Sequence, residues 1–112
     1  MVESFEIRRT ARFSSWLDAL ESPEARAAVL TRLIRLGLGN PGDAKPVGSG
    51  VSELRIDVGP GYRVYYTRIG ERIYLVLSGG DKRSQTQDIE QAITMANEVK
   101  AATRARRPRK SK

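Results

Sequence analysis

Among its 112 residues the chain has no cysteine and no histidine. Without cysteine there is no disulfide framework and no thiolate zinc site. Without histidine, the commonest general base and the commonest metal ligand are both missing. No apolar run approaches the roughly 18–20 residues that a membrane span requires. The opening MVESFEIRR lacks the basic-then-apolar pattern of a signal peptide. These absences point to a cytoplasmic protein, with no metal and no membrane partner, that must work without imidazole. At this length one domain is expected.

The net charge of +7 suggests an anionic partner, but its distribution changes that reading. Residues 1–99 hold 13 basic and 13 acidic side chains, so the body is neutral, and the other 7 basic residues fall in KAATRARRPRKSK (100–112). A run of this kind reads as a solvated, disordered end that binds polyanions weakly and with strong salt dependence. Specific chemistry must come from a local cluster in the neutral body.

FEIRR (5–9) reads as a short edge strand. From Ala11 onward, Phe13, Trp16, Leu17 and Leu20 recur at helical spacing, which makes Trp16 a structural residue. SPEA then marks a second helix start, with Ser22 as N-cap, Pro23 at the first helical position and Glu24 in the first turn. Ala25, Val29, Leu33 and Leu36 share one face, and Gly37 offers a stop. Residues 37–51, dense in glycine and proline, read as a loop.

After that loop the period falls to two. Leu54, Ile56 and Val58 share one side with Tyr62, Val64 and Tyr66 of the next strand, which makes this side the core. Gly59-Pro60-Gly61 and Gly70-Glu71 are the turns of a three-stranded meander. In SQTQDIEQAITMANEV, Ser84 and Gln87 stand at capping-box spacing, and Ile89, Ala92, Ile93, Ala96 and Val99 form a stripe. The expected order is β-α-α-β-β-β-α. This is an α+β fold with a small antiparallel-dominated sheet packed by helices on one face, over residues 1–100, followed by a basic, disordered tail at 101–112.

The other face is then open. With Val58 opposite Tyr62, Asp57 faces Arg63, and the open side gathers Glu53, Arg55, Asp57, Arg63, Tyr65 and Thr67, with Ser78 from the third strand. Periodicity alone allows a solvated surface with one Asp57–Arg63 ion pair, contributing about 0.2–1 kcal/mol. The neighbourhood offers more. Gly79-Gly80 permits close backbone approach to a ligand, and Asp81-Lys82-Arg83 stands at a helix start that favours anions. Arg55, Arg63 and Lys82 thus converge as a candidate phosphate site. Tyr65 is placed to stack on a base and Arg83 to make an accessory phosphate contact.

ELRIDVGPGYRVYY followed by LVLSGGDKRSQTQDI resembles the RelE/ParE superfamily of type II toxins. Within it, the chain looks most like the addiction-module killer proteins, which are similar to HigB-type toxins. The resemblance spans residues 3–100 and implies a RelE-like fold. It also implies a cofactor-free, metal-independent endoribonuclease that cuts messenger RNA, usually within the ribosome. A cognate antitoxin, typically a helix-turn-helix DNA-binding protein, would neutralise it. At the matching positions the resemblance implies that Arg63 stabilises phosphate charge in the transition state. It further implies that Arg55 contacts the RNA backbone and that Lys82 is the basic residue after the glycine-rich strand end. The chain departs from the pattern at Asp57, where a second basic residue is usual. It departs again at Gln85, Thr86 and Gln87, where several members carry an aromatic or a histidine. The proton-removing group stays open among Lys82, Asp57 and Asp81. Two other functions stay open as well: a ParE-like gyrase inhibitor without nuclease activity, and a non-catalytic nucleic-acid-binding module.

Overall fold

The computed structural model describes residues 4–106. Strand β1 (Glu6–Arg9) leads into helix α1 (Ala11–Ala19) through Thr10, whose side chain accepts a hydrogen bond from the Phe13 amide at 3.0 Å. The same hydroxyl donates to the Leu77 carbonyl at 2.7 Å, which ties this corner to the sheet. Helix α2 (Pro23–Gly37) starts as its sequence indicates. Ser22 caps the Ala25 amide at 3.1 Å, Pro23 follows at the first position, and Glu24 faces the positive end of the helix. Phe13 and Leu17 of α1, and Ala25, Val29, Leu33 and Leu36 of α2, are buried as the two stripes predicted.

Strands β2 (Ala44–Gly48), β3 (Val51–Ile56), β4 (Tyr62–Ile69) and β5 (Ile73–Asp81) join β1 in one sheet of order β1-β5-β4-β3-β2. Only the β1–β5 pair is parallel. Leu54, Ile56, Val64 and Tyr66 pack with Val76 against α1 and α2, and each such side chain stabilises the fold by roughly 1.5–3 kcal/mol. The long helix α3 (Gln85–Arg106) crosses the opposite face. There Ala92 and Ala96 meet Val51, Tyr65 and Leu77 in a second core.

Four expectations change. The glycine- and proline-dense loop contains strand β2, antiparallel to β3; Pro46 is accommodated because β2 is an edge strand, with a register irregularity beside it. The second sheet face is covered, not open, because the alanine pair lets α3 approach the sheet closely. The β3–β4 register is two residues tighter than expected: Ile56, not Val58, pairs with Tyr62, so residues 57–61 form a wider loop. An offset of two preserves every residue's face, which is why Leu54, Ile56, Val64 and Tyr66 were assigned correctly to the first core. Finally, α3 continues to Arg106 where a disordered tail was expected, and Lys100 donates to the Ser49 carbonyl at 2.9 Å. The rest of the basic run, residues 107–112, lies outside the described residues.

Gly79 and Gly80 also acquire a different explanation. A Cβ on Gly79 would enter the Trp16 ring, and one on Gly80 would strike the Asp88 carboxylate. The two glycines are therefore required by the α1 and α3 side chains that close on β5 from either face, not by a ligand. Gly79→Ala is expected to lower stability by at least about 1–3 kcal/mol through overpacking. Ile34→Ser, on the exposed side of α2, should change it by less than about 0.5 kcal/mol. Denaturant melts of the two variants check both.

Candidate functional site

The register that places Arg55 directly opposite Arg63 sets two guanidinium groups side by side on β3 and β4. Like charges so placed repel each other. What holds them is Glu53, the residue before Leu54 on β3, whose side chain is 0% exposed. Its Oε1 lies 3.4 Å from Arg63 Nη1 and 3.5 Å from Arg55 Nε. Its Oε2 accepts from the Tyr65 hydroxyl at 3.2 Å and from the Gln85 side-chain amide at 2.9 Å. A buried carboxylate is tolerated only when it is paired and hydrogen-bonded, and here three hydrogen-bond donors, Arg63, Tyr65 and Gln85, together with the Arg55 charge contact, meet that requirement.

The Arg63 side chain is 13% exposed and that of Arg55 38%. Both border a cavity of about 230 Å³ at the β3–β4 loop, lined also by Lys82, Asp57, Asp43 and Tyr62. The Nε–H of each arginine is buried without a hydrogen-bond acceptor among the described residues, although Arg55 Nε keeps its charge contact with Glu53. Two arginines are thus oriented by one acid while part of their donor capacity stays unused. Lys82 reaches the cavity with its stem against Gly61, whose φ of 86° favours glycine. Arg32 of α2 fixes the rim: it donates to the Arg55 carbonyl, to the Pro41 carbonyl at 2.8 Å and to the Asp43 carbonyl at 3.0 Å.

Of the residues singled out from sequence, Arg55, Arg63, Lys82 and Asp57 therefore share one cavity. The others do not join them. Tyr65 is fully buried beneath α3 and bonded to Glu53, so it has no face to offer a base. The acid that pairs with Arg63 is Glu53, not Asp57, because the tighter register leaves Asp57 in the loop. Asp81 pairs opposite Tyr62 and turns to cap the 3₁₀ turn Lys82–Ser84, accepting from the Arg83 amide at 2.9 Å. Hydrogen bonds from Arg83, side chain first and then backbone, hold the Asp81 carboxyl below its usual range, which makes it a poor base. Arg83 is exposed beside it, outside the cavity. The expected Ser84 cap is replaced by Asp81, and Ser84 instead donates to Asp88 at 2.5 Å.

Sequence reasoning gave no role to Glu53, Gln85, Arg32 or Asp43. Alternation did place Glu53 on the same side as Arg55 and Arg63; what it did not reveal was the helix that buries it. Among the described residues, no group of three or more acidic side chains is placed to hold a metal ion, and no helix is long and apolar enough to cross a membrane.

Fold and site together define a small α+β protein with an acid-anchored arginine pair at one end of its inner strands. Residues 15–106 match the family described as phage-derived protein Gp49-like (DUF891), and the chain belongs to that family. An uncharacterized protein of Haemophilus influenzae is 44% identical over 96 residues, covering 86% of this chain and 97% of that relative. The fold is similar to that of a mutant E. coli toxin RelE in the free state, with a TM-score of 0.67, 18% identity, and coverage of 83% of this chain and 97% of that one. It is also similar to a chain of the intact E. coli RelBE toxin–antitoxin complex, with a TM-score of 0.58, 18% identity, and coverage of 70% and 96%. The RelE-like α+β fold expected from sequence is thus present.

Glu53→Ala would strand two guanidinium groups, one of them nearly buried, and should cost about 3–5 kcal/mol in chemical denaturation. Tyr65 predicts an alkaline limit. Burial first, and then the Glu53 carboxylate, pushes its phenol above the usual value. A folded pKa above the unfolded one gives stability that is fully present below about pH 10 and is lost as pH rises beyond it. Tyr65→Phe should flatten that decline in pH-dependent melts. Part of the slope should remain, because burial also raises the Tyr66 phenol.

Proposed function

We propose that this protein is the toxin of a toxin–antitoxin pair, of the HigB-like branch, and a cytoplasmic endoribonuclease that cuts messenger RNA on the ribosome. The observation that carries this reading is the gathering of Arg55, Arg63 and Lys82 around one cavity, with both arginines oriented by a single buried acid. The likeness of the fold to that of the E. coli toxin RelE supports it.

In the proposed reaction the ribose 2′-hydroxyl attacks the adjacent phosphorus. The bond to the 5′-oxygen breaks, leaving a 2′,3′-cyclic phosphate and a 5′-hydroxyl. Arg63 binds the non-bridging oxygens as charge builds on them, because its planar fork matches phosphate and keeps its proton. Arg55 holds the flanking backbone. Asp57, which forms no ion pair among the described residues, takes the 2′-hydroxyl proton. Lys82 gives a proton to the departing 5′-oxygen. Arg83, exposed nearby, adds a long-range contact to the RNA. The ribosome supplies the remaining orientation of the message.

The likeness to a chain of the E. coli RelBE toxin–antitoxin complex supports an antitoxin partner, which we take to be a helix-turn-helix DNA-binding protein. The exposed Leu30, Ile34 and Leu38 recur every four residues along the outer side of α2, and supply an apolar surface for such a partner.

Purified protein added to a translation reaction, with message ends mapped, tests the reading. Cleavage is expected, and Arg63→Ala should reduce it by about 10²–10³-fold, read at a temperature where circular dichroism shows the variant still folded. Intact messages would overturn it; blocked gyrase supercoiling in their place would assign the chain to the ParE-like class.

A further inference from the structure

Strand β1 ends at Arg9 opposite Val76, yet β5 continues to Asp81 with no strand on that edge. Side chains of α1 and α3 close over the uncovered stretch and leave a cleft along it. Its outer part, a cavity of about 490 Å³, is bordered by Trp16, Ser78 and Asp88, with Arg12 and Gln91 at the rim. An inner part of about 320 Å³ runs past Trp16 and Asp88 to Tyr62. Tyr62 also lines the arginine cavity, so a single side chain borders both the cleft and the site already described.

Three features give this cleft the chemistry of a nucleobase pocket. Trp16 is only partly buried and lines both parts, with its ring 6.1 Å from that of Tyr62, so two aromatic side chains border the cleft. Ser78 is 3% exposed, and its hydroxyl has no hydrogen-bond partner among the described residues. A buried hydroxyl without a partner is unfavourable and gains from any ligand that supplies one. Asp88 receives the Ser84 hydroxyl on Oδ2 at 2.5 Å, which fixes the carboxylate and leaves Oδ1 without a donor among the described residues.

We propose that this cleft binds a base of the same RNA strand whose phosphate lies on Arg63. Trp16 stacks on the base, and Asp88 selects bases that carry an exocyclic amino group over uracil. The inference rests on the nuclease reading and adds a specificity-determining residue to it. The carboxylate can only accept, so it fits the amino group of cytosine, adenine or guanine and repels the carbonyl that uracil presents at the same place. Single-stranded RNA is read in this way, by stacking on aromatic side chains and hydrogen bonding to an exposed base edge.

Trp16 is the chain's single tryptophan, so its fluorescence reports on the cleft directly. The test titrates the full chain with uncleavable 2′-O-methyl oligo(C) and oligo(U), whose bases differ at this position only by amino against carbonyl. Total binding is followed in parallel by anisotropy of an end-labelled oligonucleotide. Oligo(C) should change Trp16 fluorescence saturably and bind about tenfold more tightly than oligo(U), the effect of one good polar contact. Asp88→Asn, which keeps an oxygen for Ser84 but turns an amide donor toward the base, should cancel or reverse that ratio. Arg63→Ala should weaken both oligonucleotides and leave the ratio unchanged. Binding with no change at Trp16, or a ratio that Asp88→Asn does not move, would overturn the pocket while messages are still cut. If neither oligonucleotide binds and no message is cut, both the pocket and the nuclease reading fail.

Discussion

A carboxylate with no exposure to water, Glu53, sits between two arginines that the sheet register would otherwise set in repulsion. Nearly everything distinctive about this molecule follows from that contact. Burying the acid requires α3 above it, because Gln85 of that helix and Tyr65 of β4 supply the donors that the arginines cannot. Covering that face in turn requires Ala92 and Ala96, small enough for the helix to approach the strands. The arginines are then held at one end of the inner strands β3 and β4, lining a cavity with the loop at residues 57–61 and with Lys82. One interaction therefore links core packing, the placement of the last helix and the orientation of the cations.

Under the proposed function, the same arrangement lets a chain with a neutral body address a polyanion. Its cations are not spread over a surface; three are focused on one small cavity, and two of those are pinned. A fixed guanidinium pays less conformational entropy on meeting a phosphate than a solvated one does, and its partly buried position strengthens the contact. Arg32 extends this order to the rim by holding three carbonyl groups around Asp43 and β3.

Much of the fold was legible in sequence because local signals agreed with each other. The Ser22-Pro23-Glu24 start, the two helical stripes and the period-two strands all led to observed elements. The hairpin register was off by two, but an even offset keeps each side chain on its face, so Arg55 and Arg63 still shared a side. What stayed hidden was non-local. Strand β2 lies in a stretch whose glycine and proline content hides an edge strand. The closure of the second face rests on two alanines, a weak apolar signal. Tyr65 and Glu53 look outward on alternation alone and become internal only once α3 is placed over them. Gly79 and Gly80 suggest ligand approach until Trp16 and Asp88 are seen against them.

The most direct test of the central claim is a crystal structure of the protein with a short, uncleavable oligoribonucleotide. The account predicts a backbone phosphate with its non-bridging oxygens within hydrogen-bond distance of Arg63 and Arg55, while Glu53 stays bonded to both arginines. RNA bound elsewhere, with the arginine cavity filled only by solvent, would contradict it.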